Sequence, residues 1–404
     1  MAAEEEVSPQ VKAGRQRVDS IDLLRGLVMV IMALDHVRDY FHADAQLFSP
    51  DDLTRTNALL FFTRWITHFC APVFMFLAGV SVHFFAPRRG SRAVVSRFLI
   101  TRGLWLIVLD ATAVNVAESF NFSFRFTLLQ VLWAMGWSMI ALAGLIWLPR
   151  RAVLGIALAM IGLHNLFDGV AVESAGMAGW LWKLLHVPTM VRNGDAMILF
   201  LYPLVPWIGV MAAGYCFGPV MQMEPAQRRR MLWRMGGAAT AAFFVIRAVN
   251  VYGDARHWAV QGSVAMTAAS FFNVTKYPPS LLYLLMTLGP AMLMLAALDS
   301  VRVGPENFFR VFGRVPMFYY LAHFYALHAA AVVVGGFYYG KWGFLFQFPA
   351  AGLGIPTPDF PKDYGYSLGV VYAVWLVLVV ALYFPCRWYM NFKNRNHAAW
   401  LSYL

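Results

Sequence analysis

The chain has 404 residues, of which 60% are hydrophobic and only 13% are charged. Because a soluble domain carries about a quarter charged residues, this composition excludes an ordinary soluble protein and predicts an integral membrane protein. The formal net charge of +11 does not indicate nucleic-acid binding, since the basic residues form short clusters between apolar runs and no continuous stripe. The three cysteines form no CxxC or Cys/His pairing, so they predict neither a disulfide framework nor a metal site.

Apolar segments long enough to cross a membrane recur along the chain. About 20 residues at about 1.5 Å each cross a hydrocarbon core of about 30 Å. The segments that meet this length lie near 21–41, 63–86, 97–117, 126–148, 151–169, 197–218, 231–250, 279–298, 309–335 and 366–386. We therefore expect an all-α polytopic bundle of about ten transmembrane helices. A single transmembrane domain would cover 20–390, between an N-terminal tail (1–19) and a C-terminal tail (391–404).

The charges of the connecting segments predict the orientation. If the N-terminus is cytoplasmic, every inside segment is basic, and these segments contain Lys12, Arg15, Arg17, Arg88, Arg89, Arg92, Arg150, Arg151, Arg228, Arg229, Arg230, Arg302, Arg310, Arg314, Arg387, Lys393 and Arg395. The opposite loops, at 42–58, 118–125, 170–196, 251–276 and 337–364, are poor in Lys and Arg. Because positive charge marks the cytoplasmic side, we expect both termini in the cytoplasm and no cleaved signal peptide.

Polar residues inside the predicted helices indicate a functional chamber. An ionisable group in a spanning helix costs several kcal/mol unless it faces a partner or water. Here these groups gather in the outer half of the membrane, and they include Asp35, His36, Arg38, Asp39, His42, Arg64, His68, Asp110, Glu118, Arg247 and His323. We expect them to line a polar chamber open to the outer face, where Arg64, His68, Asp110, Arg247 and His323 would bind the substrate.

The spacing on the first segment favours acid–base chemistry. Asp35, Arg38, Asp39 and His42 fall at i, i+3, i+4 and i+7, on one face of a helix. A carboxylate fixes the tautomer of an adjacent histidine and stabilises its charged form, as a general base requires. We therefore predict that these residues and His36 are catalytic. The alternative, that the charges neutralise one another and hold helices together, stays open.

Two segments carry a family resemblance. Residues 20–36 read SIDLLRGLVMVIMALDH and residues 63–79 read TRWITHFCAPVFMFLAG, with weaker similarity at 206–209 (PWIG) and 276–280 (KYPPS). The chain resembles bacterial members of the heparan-alpha-glucosaminide N-acetyltransferase-like family. That resemblance implies a multi-pass enzyme of the bacterial inner membrane type. It would transfer an acetyl or short acyl group from cytoplasmic acetyl-CoA to an amino or hydroxyl group of a sugar or cell-envelope acceptor.

The same segment is similar to membrane O-acyltransferases that modify bacterial surface polysaccharides. Those enzymes carry an arginine, ten residues and a histidine, a spacing that Arg25 and His36 share. About 16 Å of helical rise separates these two residues, which implies a donor end at Arg25 and a transfer centre at His36. In the lysosomal N-acetyltransferase the position of His36 is an asparagine and the active-site histidine follows later. Either His36 or His42 could therefore be the base, and the spacing favours His36.

The donor side carries little sequence signal. No GxxxxGK[ST] or GxGxxG segment is present to hold phosphates. Cytoplasmic arginines would bind the CoA phosphates instead, and the candidates are Arg25, Arg88, Arg89 and Arg92, with Arg97 and Arg228, Arg229 and Arg230 as further ones. These arginines would alternatively only fix topology and contact anionic lipid. No metal site is expected, because the sequence has no HExxH motif or clustered ligand spacing.

A transporter for a small polar or anionic solute is the alternative function. Charges in a helical bundle and internal prolines such as Pro72, Pro206, Pro290 and Pro316 would serve it equally well. Against it, no inverted repeat is visible, and the polar groups lie in the outer half where a transporter needs a midplane site. The sequence leaves open the acceptor, the acyl chain, the choice between N- and O-transfer and the oligomeric state.

Overall fold

The computed structural model describes residues 18–86, 90–170, 176–347, 360–361, 363–396, 398 and 401. Most of these residues are helical. The helices are α1 (Asp19–Phe41), α2 (Ala58–Trp65), α3 (Cys70–Phe85), α4 (Arg92–Leu109), α5 (Asn115–Ser119), α6 (Val131–Leu145), α7 (Arg150–Gly162), α8 (Met177–His186), α9 (Leu204–Met221), α10 (Pro225–Val249), α11 (Val264–Phe272), α12 (Leu281–Leu298), α13 (Phe308–Arg314), α14 (Pro316–Tyr339) and α15 (Leu368–Arg395).

Seven helical stretches of the described chain are long and apolar enough to cross a membrane. They are Ala58–Phe85, Arg92–Ser119, Leu204–Met221, Pro225–Val249, Leu281–Leu298, Pro316–Tyr339 and Leu368–Arg395. The three other predicted segments coincide with α1, which carries several charges, and with α6 and α7, which have 15 and 13 residues. The count of ten and the orientation therefore stay predictions.

The helix α1 lies at the centre of the bundle and is buried along most of its length. It packs against α13, α14, α15, α12 and α3. Asp19 and Asp22 lie in its first turn and Arg38 in its last turn, where each charge interacts favourably with the helix dipole. Its closest approach is to α13: a Cβ atom on Gly26 would lie 1.7 Å from the carbonyl oxygen of Phe309. Only glycine permits this backbone contact.

The second predicted segment is two helices joined by a turn of 3₁₀ helix. This turn, Ile66–Phe69, follows α2 and leads into α3, which places Pro72 in the first turn of α3. Proline is tolerated there because the first N–H groups of a helix have no intrahelical partner. A 3₁₀ helix has about three residues per turn, so the side chains of Ile66–Phe69 do not follow the α-helical spacing of α2 and α3.

A small sheet interrupts the all-helical pattern. β1 (Phe126–Leu129) pairs in parallel with β3 (Ala196–Phe200), and β2 (Thr189–Asn193) pairs antiparallel with β3. These strands replace the first residues that we expected to be helical at 126–148 and 197–218, so the helices begin at Val131 and Leu204 instead. The sheet lies in segments that the charge pattern assigns to the outer side. The expectation of an exclusively helical fold was therefore wrong in these strands.

Candidate functional site

A cavity of about 1400 Å³ follows α1 through the bundle. At one end it is lined by Asp22 and Arg25, and near the other end by Asp35, His36 and Asp39. The helical rise of about 1.5 Å per residue separates Asp22 from Asp39 by about 26 Å, close to the thickness of a hydrocarbon core. The cavity therefore connects the region near the start of α1 with the region near its end.

Ion pairs organise the wall of the cavity near the end of α1. The Asp35 carboxylate contacts Arg38 Nη2 at 3.1 Å and accepts a hydrogen bond from Arg64 Nη1 at 2.7 Å. Arg38 also pairs with Asp39. The i, i+3, i+4 relation of Asp35, Arg38 and Asp39 is thus formed as expected. Arg64 closes the network from α2, so two aspartates share two guanidinium groups.

His36 lies in the cavity wall between this network and α14. Its ring centroid is 5.2 Å from that of His323 and 4.3 Å from that of Phe324. No hydrogen bond connects His36 to another residue that the structure describes, and its interaction with Asp35 and Asp39 is electrostatic. The imidazole of His36 is therefore available to a bound molecule.

His323 lies behind His36 and is fully buried. Its Nδ1 atom is 3.2 Å from the carbonyl oxygen of Tyr319, which can only accept a hydrogen bond. Nδ1 therefore carries the proton and Nε2 does not. Nε2 has no hydrogen-bond partner among the described residues. His323 is not among the residues that line the cavity, and its ring packs against that of His36, which does line it.

His68 and Lys276 face the same part of the cavity from other elements. The backbone oxygen of His68 accepts a hydrogen bond from the Tyr283 hydroxyl at 2.8 Å, while His68 Nδ1 has no partner in the described chain. Lys276 lines the cavity and interacts electrostatically with Asp35, His36 and His68. The ammonium group adds positive charge beside the candidate base.

The structure does not bring His42 into the cavity lining. The helix α1 ends at Phe41, so His42 is in extended backbone and its relation to Asp35 is no longer that of one helix face. His42 Nδ1 accepts a hydrogen bond from the Asp44 N–H at 3.2 Å. Burial lowers the pKa of His42, although nearby Asp44 opposes this effect. Of the two candidate bases, only His36 lines the cavity.

Asp110 is buried beside the cavity and acts as a helix cap. Its Oδ2 atom accepts hydrogen bonds from the N–H groups of Gln130 at 2.6 Å and Trp133 at 3.0 Å, at the start of α6. Gln130 in turn donates a hydrogen bond to Glu118, and both of these side chains line the cavity. Asp110 therefore positions two lining residues and is not itself one.

Arg247 is also placed outside the cavity. Its guanidinium donates to the backbone oxygens of Phe271 at 2.8 Å, Arg256 at 2.6 Å, Ser270 at 3.0 Å and Asn273 at 2.9 Å. These bonds hold the loop that follows α10 in a fixed shape. Arg247 is thus engaged with backbone carbonyls and is not among the residues that line the cavity; its role in substrate binding stays a prediction.

The mouth near the start of α1 is basic. Arg25 lies on α1, and Arg228 pairs with Asp299, which accepts a hydrogen bond from Ser20 in the first turn of α1. Arg102 and Lys393 also line the cavity. Arg25 donates hydrogen bonds to the Gly313 carbonyl at 3.3 Å and the Ser81 hydroxyl at 3.1 Å. These bonds hold its guanidinium at the cavity wall.

Of the other candidate donor-binding arginines, Arg228 lines the cavity and Arg92 does not. Arg228 pairs with both carboxylate oxygens of Asp299 at 2.9 to 3.1 Å. Arg92 donates to the Trp147 carbonyl at 2.9 Å and is not in the lining. Arg88 and Arg89 lie outside the described residues.

An ion pair between two loops lines the opposite part of the cavity. Arg256 Nη1 contacts Asp51 Oδ2 at 2.6 Å, and both residues line the cavity. Burial favours a higher pKa for Asp51, but a hydrogen bond from Ser49 and the charge of Arg256 outweigh it and lower the pKa to about 2. The carboxylate is thus charged at neutral pH and joins the loop after α1 to the loop after α10.

Sequence reasoning anticipated Glu118, which we expected among the polar groups of the chamber and which lines the cavity. It gave no site role to Lys276 and Arg102, which also line the cavity, and only Lys276 lay in a segment that we had singled out, KYPPS. It also missed a group of potential metal ligands, His164, Asp168 and His186, whose ligand atoms lie within 4.8 Å of one another. Since His186 is distant in sequence from the other two, no local spacing could have indicated this group.

Comparison with known families agrees with the resemblance in α1 and α3. The family described as heparan-alpha-glucosaminide N-acetyltransferase, catalytic, matches residues 17–252. This range is more than half of the chain and includes Arg25, His36 and Arg64. No curated protein matches this chain. The chain belongs to the heparan-alpha-glucosaminide N-acetyltransferase catalytic-domain family.

Proposed function

We propose that this membrane acyltransferase moves an acetyl group from acetyl-CoA on the cytoplasmic side to an amino or hydroxyl group of a carbohydrate or cell-envelope acceptor on the outer side. One observation carries the proposal. A single cavity reaches from a basic mouth at Arg25 to an acid–base cluster at His36, along one helix. Donor and acceptor would enter this cavity from opposite ends and meet at His36.

The basic mouth suits the acyl donor. Phosphate groups of CoA carry several negative charges, and guanidinium groups bind phosphate oxygens in pairs. Arg25 and Arg102 would contact these phosphates, while Lys393 would add a third positive charge. Arg25 pairs with Asp22, and Arg228 pairs with both carboxylate oxygens of Asp299. Arg228 also donates to the Met221 and Met223 carbonyls, which holds the end of α9 and the start of α10 in place. The pantetheine arm would then extend along the apolar middle of the cavity, past Met32 and Phe74.

His36 would act as the general base. Its imidazole accepts the proton of the acceptor amine or hydroxyl as the nitrogen or oxygen attacks the thioester carbonyl. A tetrahedral intermediate forms, the carbon–sulfur bond breaks, and the proton on the imidazole transfers to the departing thiolate. The nearby carboxylates of Asp35 and Asp39 stabilise the imidazolium between the two proton transfers. Lys276 would offer its positive charge to the developing oxyanion.

The outer mouth suits a carbohydrate. Asp51, Arg256 and Ser49 offer hydrogen-bond donors and acceptors, while Phe48 adds an apolar surface. Sugars bind through such combinations of hydroxyl hydrogen bonds and ring contacts. These residues therefore support an acceptor with several hydroxyl groups.

The test is acetyl transfer by the purified protein. Protein in detergent is incubated with radiolabelled acetyl-CoA and a panel of amino sugars, neutral sugars and cell-envelope extracts. We expect label in at least one acceptor, with free CoA released in equal amount. If acetyl-CoA at saturating concentration neither raises the melting temperature nor loses its acetyl group, the proposal is wrong.

Transport of a polar solute is the second candidate, because the cavity has lining residues near both ends of α1. An assay of the purified protein in sealed vesicles distinguishes transport from acyl transfer. A transporter equilibrates a labelled solute across the vesicle membrane without acetyl-CoA. An acyltransferase needs acetyl-CoA on one side and produces a covalently modified acceptor on the other.

A further inference from the structure

We propose that His164, Asp168 and His186 form a binding site for a divalent transition-metal ion of the zinc type, separate from the cavity. His164 and Asp168 follow α7, and His186 is the last residue of α8. Their ligand atoms all lie within 4.8 Å of one another. None of the three lines the cavity, so the site is independent of acyl transfer.

Three ring nitrogens of the two histidines make no hydrogen bond within 3.5 Å in the described chain: both nitrogens of His164 and Nε2 of His186. Two groups contact them electrostatically: Asp168 Oδ1 lies 3.6 Å from His186 Nε2, and the Pro279 backbone interacts with the His164 ring. Both residues are buried, with exposed fractions of 3% and 5%. A buried polar group without a hydrogen bond costs about 1 to 3 kcal/mol. A bound cation would remove this cost, because each imidazole would donate a lone pair to it.

The geometry is close to that of a three-ligand metal site. His186 Nε2 is 3.6 Å from Asp168 Oδ1. Tetrahedral coordination with bonds of about 2.0 Å separates two ligand atoms by about 3.3 Å. The centroids of the His164 and His186 rings lie 5.8 Å apart. All three ligand atoms lie within 4.8 Å of one another, so movements of about 1 to 2 Å would bring them to the spacing of a tetrahedral site.

A second layer of contacts orients the carboxylate. The side chain of Asn165 donates a hydrogen bond to Asp168 Oδ2 at 2.7 Å, which leaves Oδ1 directed toward His186. Asn165 also accepts a hydrogen bond from the Leu281 N–H at 2.9 Å, at the start of α12. Such outer contacts fix ligands in metal sites. Trp182, whose ring is 5.0 Å from that of His186, forms an apolar wall.

The donor set selects the ion. Two imidazoles and one carboxylate suit zinc and neighbouring transition metals, whereas calcium and magnesium need six or more oxygen ligands. Three protein ligands leave one position for water. The bound ion would fasten the segment after α7 to the end of α8 and, through Asn165, to α12. Its role is structural, because it lies outside the cavity and pins the segments around it.

The test measures zinc binding by the full-length protein, purified with a tag that contains no histidine and stripped with a chelator. We expect one zinc ion per chain. Zn²⁺ should raise the melting temperature and Mg²⁺ should leave it unchanged. With Co²⁺ in place of Zn²⁺, the visible absorption spectrum should be that of tetrahedral coordination. His186→Ala should weaken zinc binding at least 100-fold and Asp168→Asn at least tenfold. His257→Ala is the matched control, since His257 is an exposed loop histidine outside the cluster.

Two results would overturn the site: no stoichiometric zinc in the wild-type protein, or equal affinity in the wild-type protein and in the His186→Ala variant. If His186→Ala fails to fold, Asp168→Asn decides the matter, because Asp168 is exposed and its replacement is isosteric. Unchanged zinc affinity in Asp168→Asn would then count against the proposal.

Discussion

His36 is the residue on which the proposed chemistry depends. It lines the cavity, it contacts the buried His323, and it interacts with two carboxylates. We predict that His36→Ala lowers acetyl transfer by about 10²-fold or more, the usual loss when a general base is removed. Because the alanine leaves the basic mouth intact, binding of acetyl-CoA should change little. The measurement is turnover under saturating donor, together with the acetyl-CoA dissociation constant.

His42→Ala provides the control for that variant. His42 caps a turn outside the cavity lining, so its loss should leave turnover within about threefold of wild type. Near-normal turnover in His36→Ala, or a loss in His42→Ala equal to that in His36→Ala, would contradict the assignment of the base. A joint loss of folding in both variants would favour the structural interpretation of the cluster.

The ion pair at the outer mouth predicts a pH dependence of stability. The folded-state pKa of Asp51 is about 2, below the value of about 3.9 for an unfolded chain. Its contribution is therefore complete above pH 4 and is lost as the pH falls toward 2. We expect Asp51→Asn to destabilise the protein by about 1 kcal/mol at neutral pH, since the pair is partly exposed. The difference in melting temperature between variant and wild type should shrink as the pH falls from 4 to 2. A difference that does not change with pH would contradict a stabilising role of the charged Asp51 carboxylate.

Local spacing predicted part of the site correctly, and the reason is physical. Asp35, Arg38 and Asp39 lie on one continuous helix, so their separation in sequence determines their separation in space. The same rule failed for His42, because α1 ends one residue earlier. The surroundings of Arg247 could not be predicted by spacing, because its partners are backbone carbonyls of a folded loop. Carbonyl groups carry no sequence signal, and Lys276 reaches the site from a distant segment.

At the scale of the helices, the contact between α1 and α13 explains why position 26, next to Arg25, is a glycine. A Cβ atom on Gly26 would lie 1.7 Å from the Phe309 carbonyl oxygen, and one on Gly313 would lie 1.8 Å from the Asp22 carbonyl oxygen. Both obstacles are backbone atoms, which cannot rotate away. Each of the two helices therefore contributes a glycine to the contact, Gly26 from α1 and Gly313 from α13.

We predict that Gly26→Ala destabilises the protein by about 1 to 3 kcal/mol, the usual range for overpacking. Thermal unfolding in detergent, followed by tryptophan fluorescence, measures the effect. Gly144→Ala is a suitable control, because a Cβ atom there meets nothing within 4 Å. A larger loss in the control than in Gly26→Ala would contradict the close contact.

Hydrophobic patterning predicted the helices better than the elements between them. Each apolar segment of the sequence overlaps at least one helix, since apolar length is what a membrane span requires. The strands β1 and β3 were missed because each is short and continues directly into an apolar run. The break between α2 and α3 was missed because the apolar pattern continues through Ile66–Phe69.

For the molecule as a whole, the cavity brings the two ends of the proposed reaction into one structure. Its basic lining residues include Arg102 from α4 and Lys393 from α15, which are distant in sequence. Its acid–base cluster comes mainly from α1 and α2. The arrangement requires that these two ends face opposite sides of the membrane, so the proposed function depends on topology.

Topology is tested by labelling introduced cysteines with an impermeant thiol reagent in intact cells. The distribution of Lys and Arg predicts that the loop after α10 is outside and that the start of α10 is cytoplasmic. Val260 and Arg230 are exposed in these two places and serve as labelling positions. Among the native cysteines, Cys70 and Cys386 are buried, so only Cys216→Ser is needed as background. Val260→Cys should react in intact cells and Arg230→Cys only after lysis. The reverse pattern would place the basic mouth outside and would exclude cytoplasmic acetyl-CoA as the donor.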